Sequence, residues 1–411
     1  MTNKPAKAKF SVLCQLCNLI PGHLVKKLAS KHGIDQQART FGAWSHVVSL
    51  LFAQLAHSIG LNDVCDNLRM HKGKLATIRG ATPPSRNGLS HANKTRSSAM
   101  MEDLFWETLR HLQSVSPSFG WGNRYKGIPR RFTRAIHAID SSTISLVANC
   151  MPWAKHRRRK AAAKLHLRLN LQTFLPGFAL VEEASHHDDT RAPALCAGLE
   201  EGEVCIFDKA YVNFLYLFEL TCRGIFWVTR AKDNMAYRVC KKLTATPGAR
   251  IIKDELITLS GAKSRKHYDR RFRRVEMLVE IEGKDVVMVF ITNNFDWAAS
   301  SVGGLYQSRW GIEVFFKQIK QTLQICDFLG HSKEAIRWQL WSALLLYILL
   351  RFAMFISGWS HSFTRMFTLI RGAAWDRICL SSLLRSYGTA GGSFRMCGQP
   401  QSAFLPGFAP S

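Results

Sequence analysis

Apolar residues recur at two spacings along the chain, and the change of spacing divides it. From residue 10 to residue 115 they return every three or four positions, as in WSHVVSLLFAQLAHSIGLNDVCDNL, the spacing of one helical face. A loop with ATPPSRNG (81–88) interrupts them, and a further helix begins near LSHANKTR with Asn87 and Ser90 as candidate caps. The pattern predicts a small all-α unit. From about residue 132 the period drops to two. FTRAIHAIDSSTISL, KLHLRLNLQTF (164–174), FALVEEAS (178–185), EVCIFDKAY (203–211) and GIFWVTRAK (224–232) read as strands, with NFLYLFELTC as a helix between the last two. That order predicts a mixed sheet flanked by helices. Residues 233–295 add ELITL, RVEMLVEIEG and KDVVMVFITNN around the basic run SRKHYDRRFRR (264–274), a β-rich insertion ahead of the final core helix. Near residue 380 the chain turns rich in Gly and Ser (SYGTAGGSF), which predicts poor order.

Two apolar helices complete the pattern. WQLWSALLLYILLRFAMFISGW (338–359) is about long enough to span a bilayer. Arg351 lies well inside it, where a charge is costly in lipid, so a buried core helix is expected. YQSRWGIEVFFKQIKQTLQI (306–325) carries a polar stripe. At about 100° per residue, with Tyr306 at zero, Arg309, Glu313, Lys317 and Lys320 fall at about 300°, 340°, 20° and 320°. Ile312, Phe315, Phe316, Ile319 and Leu323 fill the adjacent arc and predict a buried stripe. A pair such as Glu313 with Lys317 at i,i+4 would make the polar face ordinary helix surface.

Composition changes that picture. The 411 residues allow two or three domains, and a hydrophobic fraction of 47% excludes wholesale disorder. Lys and Arg number 56 against 29 Asp and Glu, a net charge of +27, which suits a nucleic-acid partner and salt-sensitive binding. The charge is spread over several segments, unlike that of a membrane-surface helix. Eleven cysteines at irregular spacing read as reduced thiols of a cytoplasmic protein. Cys14 and Cys17, with His23 nearby, lack a second ligand pair for zinc and read as core thiols. Lys4, Lys7 and Lys9 precede an apolar run that Gln15 and Asn18 interrupt, so no signal peptide is expected.

In so basic a chain, carboxylates at strand ends draw notice. Asp140 closes AIHAID and Asp208 closes EVCIFD, on strands that can lie side by side, and Glu313 can approach from the final helix. Three converging carboxylates repel one another unless a cation sits among them, and oxygen ligands suit Mg²⁺ or Mn²⁺. Two such ions can clamp the attacking and leaving oxygens of a phosphodiester. For any one Asp alone, a cap or turn is the usual explanation.

HAIDSSTISL, IFDKAY and YQSRWGIEVFFKQIK together resemble the three catalytic blocks of DDE transposases, and more narrowly the insertion-sequence 4 family. Tyr306, Arg309, Glu313 and Lys320 match every spacing of that family's Y-x2-R-x3-E-x6-K signature. FGAWSHVVSLLFAQL and SRNGLSHANKTR are similar to the short N-terminal domain of one branch. The resemblance implies an α/β, ribonuclease H-like core interrupted by a β-strand insertion, and cut-and-paste transposition. It implies that Asp140, Asp208 and Glu313 bind metal, and that Tyr306, Arg309 and Lys320 hold phosphate near the reacting strand end. Relatives also support a flipped base with a Trp; Trp227, Trp297 and Trp310 are candidates, each better explained as core. His186, His187, Asp188 and Asp189 lie near the metals or form a turn before a helix.

The expected organisation is a helical DNA-binding domain (1–125), a catalytic domain (126–360) with its insertion at about 233–295, and a partly disordered tail (361–411). The helical domain, with Lys72, Lys74, Arg79, Arg86, Lys94 and Arg96 in its later part, would read the element's ends. Lys317, Arg157, Arg158 and Arg159, and Arg270, Arg271 and Arg273 are expected to contact DNA phosphates. The expected partners are double-stranded transposon ends and target DNA, bound by a homodimer, in the bacterial cytoplasm at the nucleoid. A plain nuclease, a repurposed transposase that only binds DNA, and a membrane protein using 338–359 are the alternatives. The Tyr306–Arg309–Lys320 set counts against the first, the intact acids against the second and Arg351 against the third.

Overall fold

The structure, a computed structural model, describes residues 4–387 apart from 35–39, 121–127, 147–149, 151–152, 154, 158–159, 185–187, 245–249, 282 and 326–327. The chain divides into two units. One is mostly helical and draws on the chain before Gly120, Ile144–Ala163 and the chain after Phe316. The other, built around Lys164–Phe315 and the segment ending at Thr143, carries a mixed sheet.

The helical unit is organised by the helix Lys333–Ser357. Its Ser332 hydroxyl caps it by accepting from the Ala335 N–H at 3.2 Å. Gly358, at φ +67, closes it in the left-handed conformation that favours glycine. A helix apolar on every side is stable only when surrounded. Here the helices Ala43–Ala56, Arg86–Thr95, Ala99–Val115 and Leu380–Ser386 pack on it. It is long and apolar enough to cross a membrane, yet 78% of its most apolar window is buried within the protein, as in a core helix. Cys14 and Cys17 are buried in the helix Val12–Cys17, and burial pushes Cys17 up to about 12, so it packs as a neutral thiol.

One expectation needs correction in this unit. The cap of Arg86–Thr95 is Ser85, whose hydroxyl accepts from Gly88 N–H at 3.0 Å, while Asn87 and Ser90 lie inside the helix. The helix 333–357 packs with the N-terminal helices. The expected tail begins as two further helices, Phe363–Gly372 and Leu380–Ser386. Met366, Phe367 and Ile370, then Leu380, Leu383 and Leu384, bury one face of each at i, i+3, i+4 spacing. Most of SYGTAGGSF lies outside the described residues.

The strands are β1 (Ile136–Leu146), β2 (Lys155–Arg157), β3 (Lys160–Asn170), β4 (Leu175–Glu183), β5 (Val204–Phe207) and β6 (Phe226–Arg230). Then come β7 (Tyr237–Lys242), β8 (Ile251–Leu259), β9 (Phe272–Ile281) and β10 (Lys284–Thr292). β2 pairs with the start of β3. From β3 the sheet order is β3-β1-β5-β6-β10-β9-β8-β7, and β4 pairs with β3. β1, β5 and β6 are mutually parallel; β6 to β10 and everything beyond is antiparallel. The insertion therefore extends the core sheet through β10. Trp227, Tyr268 and Phe272 anchor its inner part with ring centroids 5.2–6.1 Å apart. β7 escapes the hydrophobic pattern because YRVCKK is an exposed, charged edge strand, which resists edge-to-edge pairing.

His46, fully buried in Ala43–Ala56, hydrogen-bonds Asn93 Oδ1 at 2.8 Å and packs at a tilt on Trp338 with centroids 4.3 Å apart. Burial, with Arg96 adding repulsion, lowers its pKa to about 3. The unfolded chain therefore binds a proton near pH 6.5 that the folded protein refuses. Stability should fall as pH drops from about 6.5 toward about 3, at up to about 1.4 kcal/mol per pH unit. Urea melts across this range should show a flatter pH dependence for His46→Gln than for wild type.

Candidate active site

Strand register builds the site's floor. Ile139 of β1 pairs with Phe207 of β5, and Phe207 with Thr229 of β6. The next residues, Asp140, Asp208 and Arg230, therefore stand side by side beyond the paired ends of three parallel strands, where α/β sheets bind ligands. VCIF of β5 is wholly buried, so Asp208 is the first polar group where the strand emerges. Its Oδ1 accepts from Lys209 N–H at 2.6 Å and caps the short turn Lys209–Tyr211. Asp140 Oδ1 accepts from Ser141 N–H at 2.8 Å, and β1 runs on past it.

The helical stretch Ala299–Ser308 and Trp310–Lys317 brings the remaining groups. Arg309, between the two, keeps right-handed backbone angles, and its N–H bonds the Tyr306 carbonyl at 3.0 Å. The predicted apolar stripe of Ile312, Phe315, Phe316, Ile319 and Leu323 is buried. Gly311 permits close approach to the β3–β4 turn, since a Cβ there would lie 3.0 Å from Leu171 and 3.3 Å from Phe174.

Tyr306 packs on Phe290 of β10 and donates its hydroxyl to Asp208 Oδ1 at 3.2 Å. Arg309 donates through one terminal nitrogen to Asp140 Oδ2 at 2.9 Å and through the other to Glu313 Oε1 at 2.6 Å. Burial pushes Asp140 up to about 6 against the pull of Arg309 and the Ser141 N–H, and the charges of Glu313 and Asp208 act in the same upward direction. Burial likewise pushes Tyr306 up to about 12, so it serves as a donor. Burial works against the charge of Arg309 too, but Asp140 foremost, with Tyr306, Glu313 and Asp208, more than offsets it and raises its pKa.

An all-carboxylate donor set fits a hard divalent cation. In the arrangement present, however, no group of three among the described residues is placed to hold one. In the arrangement present the guanidinium of Arg309 lies between Asp140 and Glu313, and Tyr306 donates to Asp208.

Other expected residues fall elsewhere. The helix becomes a π-helix over Gln318–Thr322, which departs from the 3.6-residue turn that the wheel assumes as far as Lys320. Lys317 is exposed at the end of Trp310–Lys317. Arg157 lies on β2; Arg158, Arg159, His186 and His187 lie outside the described residues. Asp188 and Asp189 begin a 3-10 turn, Asp188–Arg191, before the helix Ala192–Cys196. Arg270 and Arg271 are exposed. Arg273 is not a surface cation. It is buried, bonds Asp254 at 2.8 and 2.6 Å and donates to the carbonyls of Phe295 and Trp297. Phe272, Arg273, Arg274 and Val275 are all buried, so both faces of β9 are covered here, which a count of basic residues does not register. Trp227 is core. Arg230 went unnoticed in the sequence because its signal, a register shared with Asp140 and Asp208, exists only across strands.

A family profile described as "Transposase DDE domain" matches residues 131–349, more than half of the chain. The chain belongs to the DDE transposase family. A second profile, "Domain of unknown function (DUF4372)", matches residues 9–78. The transposase is 26% identical over 332 residues to the "Probable transposase for insertion sequence element IS5377" of Geobacillus stearothermophilus, covering 80% of this chain and 83% of that one. It is 29% identical over 307 residues to y4zB of Sinorhizobium fredii, also described as a transposase, covering 74% and 81%. It is 24% identical over 200 residues to "Transposase InsG for insertion sequence element IS4" of Escherichia coli, covering 46% and 44%. The transposase is thus an enzyme acting on DNA, of a family whose chemistry generally depends on divalent metal.

The inward placement of Arg273 has a measurable consequence for the transposase. Arg273→Ala leaves Asp254 buried without its partner and should cost about 3–5 kcal/mol in urea unfolding. Replacing both residues by apolar ones of similar volume should cost much less.

Proposed function

We propose that this transposase moves an insertion sequence by cut-and-paste, on a ribonuclease H-like core that the strands β7–β10 interrupt. One observation carries the reading: the register of β1 on β5 sets Asp140 beside Asp208, and Arg309 ties Glu313 to the same place. The sheet order β4-β3-β1-β5-β6 with acids at its parallel strand ends supports the core assignment. The signature spacing of Tyr306, Arg309, Glu313 and Lys320, with the low-identity likeness to an insertion-sequence 4 transposase, supports membership of that family.

Asp140, Asp208 and Glu313 would hold Mg²⁺ or Mn²⁺, two ions in all, which when bound polarise the phosphodiester and its attacking hydroxyl. The chain's own residues do the positioning. Tyr306 fixes Asp208 by its hydroxyl, burial keeps Asp140 out of bulk water, and Arg309 and Lys320 hold phosphates of a bent strand. A single site meets two strands of opposite polarity. Water cuts the first strand; the freed 3′-hydroxyl attacks the second and closes a hairpin on the transposon end. Water reopens the hairpin, and the 3′-hydroxyl joins target DNA. An element has two ends, so a homodimer, with one site for each end, is the natural assembly. The helical domain reads the ends, with Lys72, Arg86 and Lys94 exposed on it, while Arg270 and Arg271 contact phosphates from the insertion. The reaction belongs in the cytoplasm at the nucleoid.

Asp140→Asn, Asp208→Asn and Glu313→Gln should each abolish cleavage of end-labelled DNA while leaving binding of the ends within a few-fold of wild type. Cleavage at the wild-type rate in any one of them removes that residue from the site. On denaturing gels, wild-type protein with Mg²⁺ should give a transient species of twice the single-strand length. Release of the element without that species at any time would exclude the hairpin route.

A further inference from the structure

Arg309 donates to one oxygen of each carboxylate, Asp140 Oδ2 and Glu313 Oε1. A guanidinium and a divalent ion repel each other and compete for those oxygens, so they do not share the place. The fork of Arg309 spans the two acids and relieves their repulsion without any metal.

The arrangement is also incomplete. The Arg309 Nε–H is buried with no acceptor among the described residues. A buried donor left in this way favours any state that satisfies it. The two arms are unequal: the Asp140 side chain is 22% exposed, while that of Glu313 is 47% exposed and can turn into solvent. A phosphate offers Arg309 two oxygens for Nε and one terminal nitrogen together, a bidentate match that the present partners do not give.

We propose that Arg309 is a positioning residue that closes the carboxylates when DNA is absent, and that a phosphate of the bound strand draws it away and opens them to metal. This rests on the assignment of Asp140, Asp208 and Glu313 as metal ligands. Metal and DNA then bind cooperatively, each raising the affinity for the other by the same factor. The chain avoids holding reactive metal before its substrate is seated.

The test is Mn²⁺ binding to the full-length, chelator-washed protein, followed by the electron paramagnetic resonance signal of unbound Mn²⁺. If the open arrangement is populated about one part in ten, Arg309→Gln should bind Mn²⁺ about tenfold more tightly than wild type without DNA. The gain should vanish in Arg309→Gln combined with Asp140→Asn. Arg309→Lys, which keeps the charge but not the fork, should fall between. Adding end DNA should tighten Mn²⁺ binding to wild type and leave Arg309→Gln little changed. Equal or weaker binding by a folded Arg309→Gln overturns the proposal. So does a wild-type affinity that DNA does not move, a measurement that needs no substitution. Failure of the metal assignment itself shows separately: Mn²⁺ would bind wild type with DNA just as well after Asp140→Asn, and the proposal would fall with it.

Discussion

Repulsion between carboxylates at the ends of neighbouring parallel strands is the constraint around which this site is arranged. Once Ile139 pairs with Phe207, Asp140 and Asp208 follow at the same level, and the backbone leaves them no way apart. A helix then brings Glu313 to the same edge. A low-dielectric neighbourhood makes such a cluster costly unless positive charge enters it. The chain supplies that charge from one turn before Glu313, and the same helix supplies the Tyr306 hydroxyl to Asp208. Tyr306 and Arg309 are therefore tied, in this state, to the carboxylates proposed to bind metal.

The contrast with the insertion shows what a permanently fixed arginine looks like. Arg273 gives Asp254 two hydrogen bonds and takes up two backbone carbonyls, with both side chains about 5% exposed or less. Removing either partner would leave a charge stranded, so the pair acts as a rivet between β8 and β9. Arg309 has one partly buried partner, one half-exposed partner and one unsatisfied nitrogen. The first arrangement has nowhere better to go. The second has a better partner only when a phosphate arrives.

Much of this was readable from the chain alone, and the failures have definite causes. Period-two alternation located β1, β3, β5 and β6, because each buries one or both faces. The helical spacing of 306–325 identified the buried stripe and put Tyr306, Arg309 and Glu313 on one face. The wheel does not hold as far as Lys320, because it assumes 3.6 residues per turn and the π-helix at Gln318–Thr322 does not keep that turn. β7 was invisible because an exposed edge strand has no hydrophobic pattern to show. The bridging of Asp140 and Glu313 by Arg309 lay beyond reach, since it joins residues 169 positions apart through strand register. Spacing named the residues of the site; their partners became visible only in three dimensions.

The charge surplus illustrates the same limit. A net charge of +27 points to a polyanion, but it does not say which cations face it. Arg79 stacks on Trp44 and donates to the Cys17 carbonyl; Arg96 donates to the carbonyls of Phe41 and Gly42. Arg168 takes the carbonyls of Leu195 and Gly177, and Arg223 those of Cys196, Ala197 and Leu199. These guanidiniums hold loops and helix ends together, a task that suits a planar fork with five donors and not a single ammonium. Lys72, Lys94, Lys241, Lys242, Lys263 and Lys266 stay at the surface. In this fold the named arginines are structural joints, while Arg86, Arg270 and Arg271 stay exposed beside those lysines, so a count of cations does not tell the two roles apart.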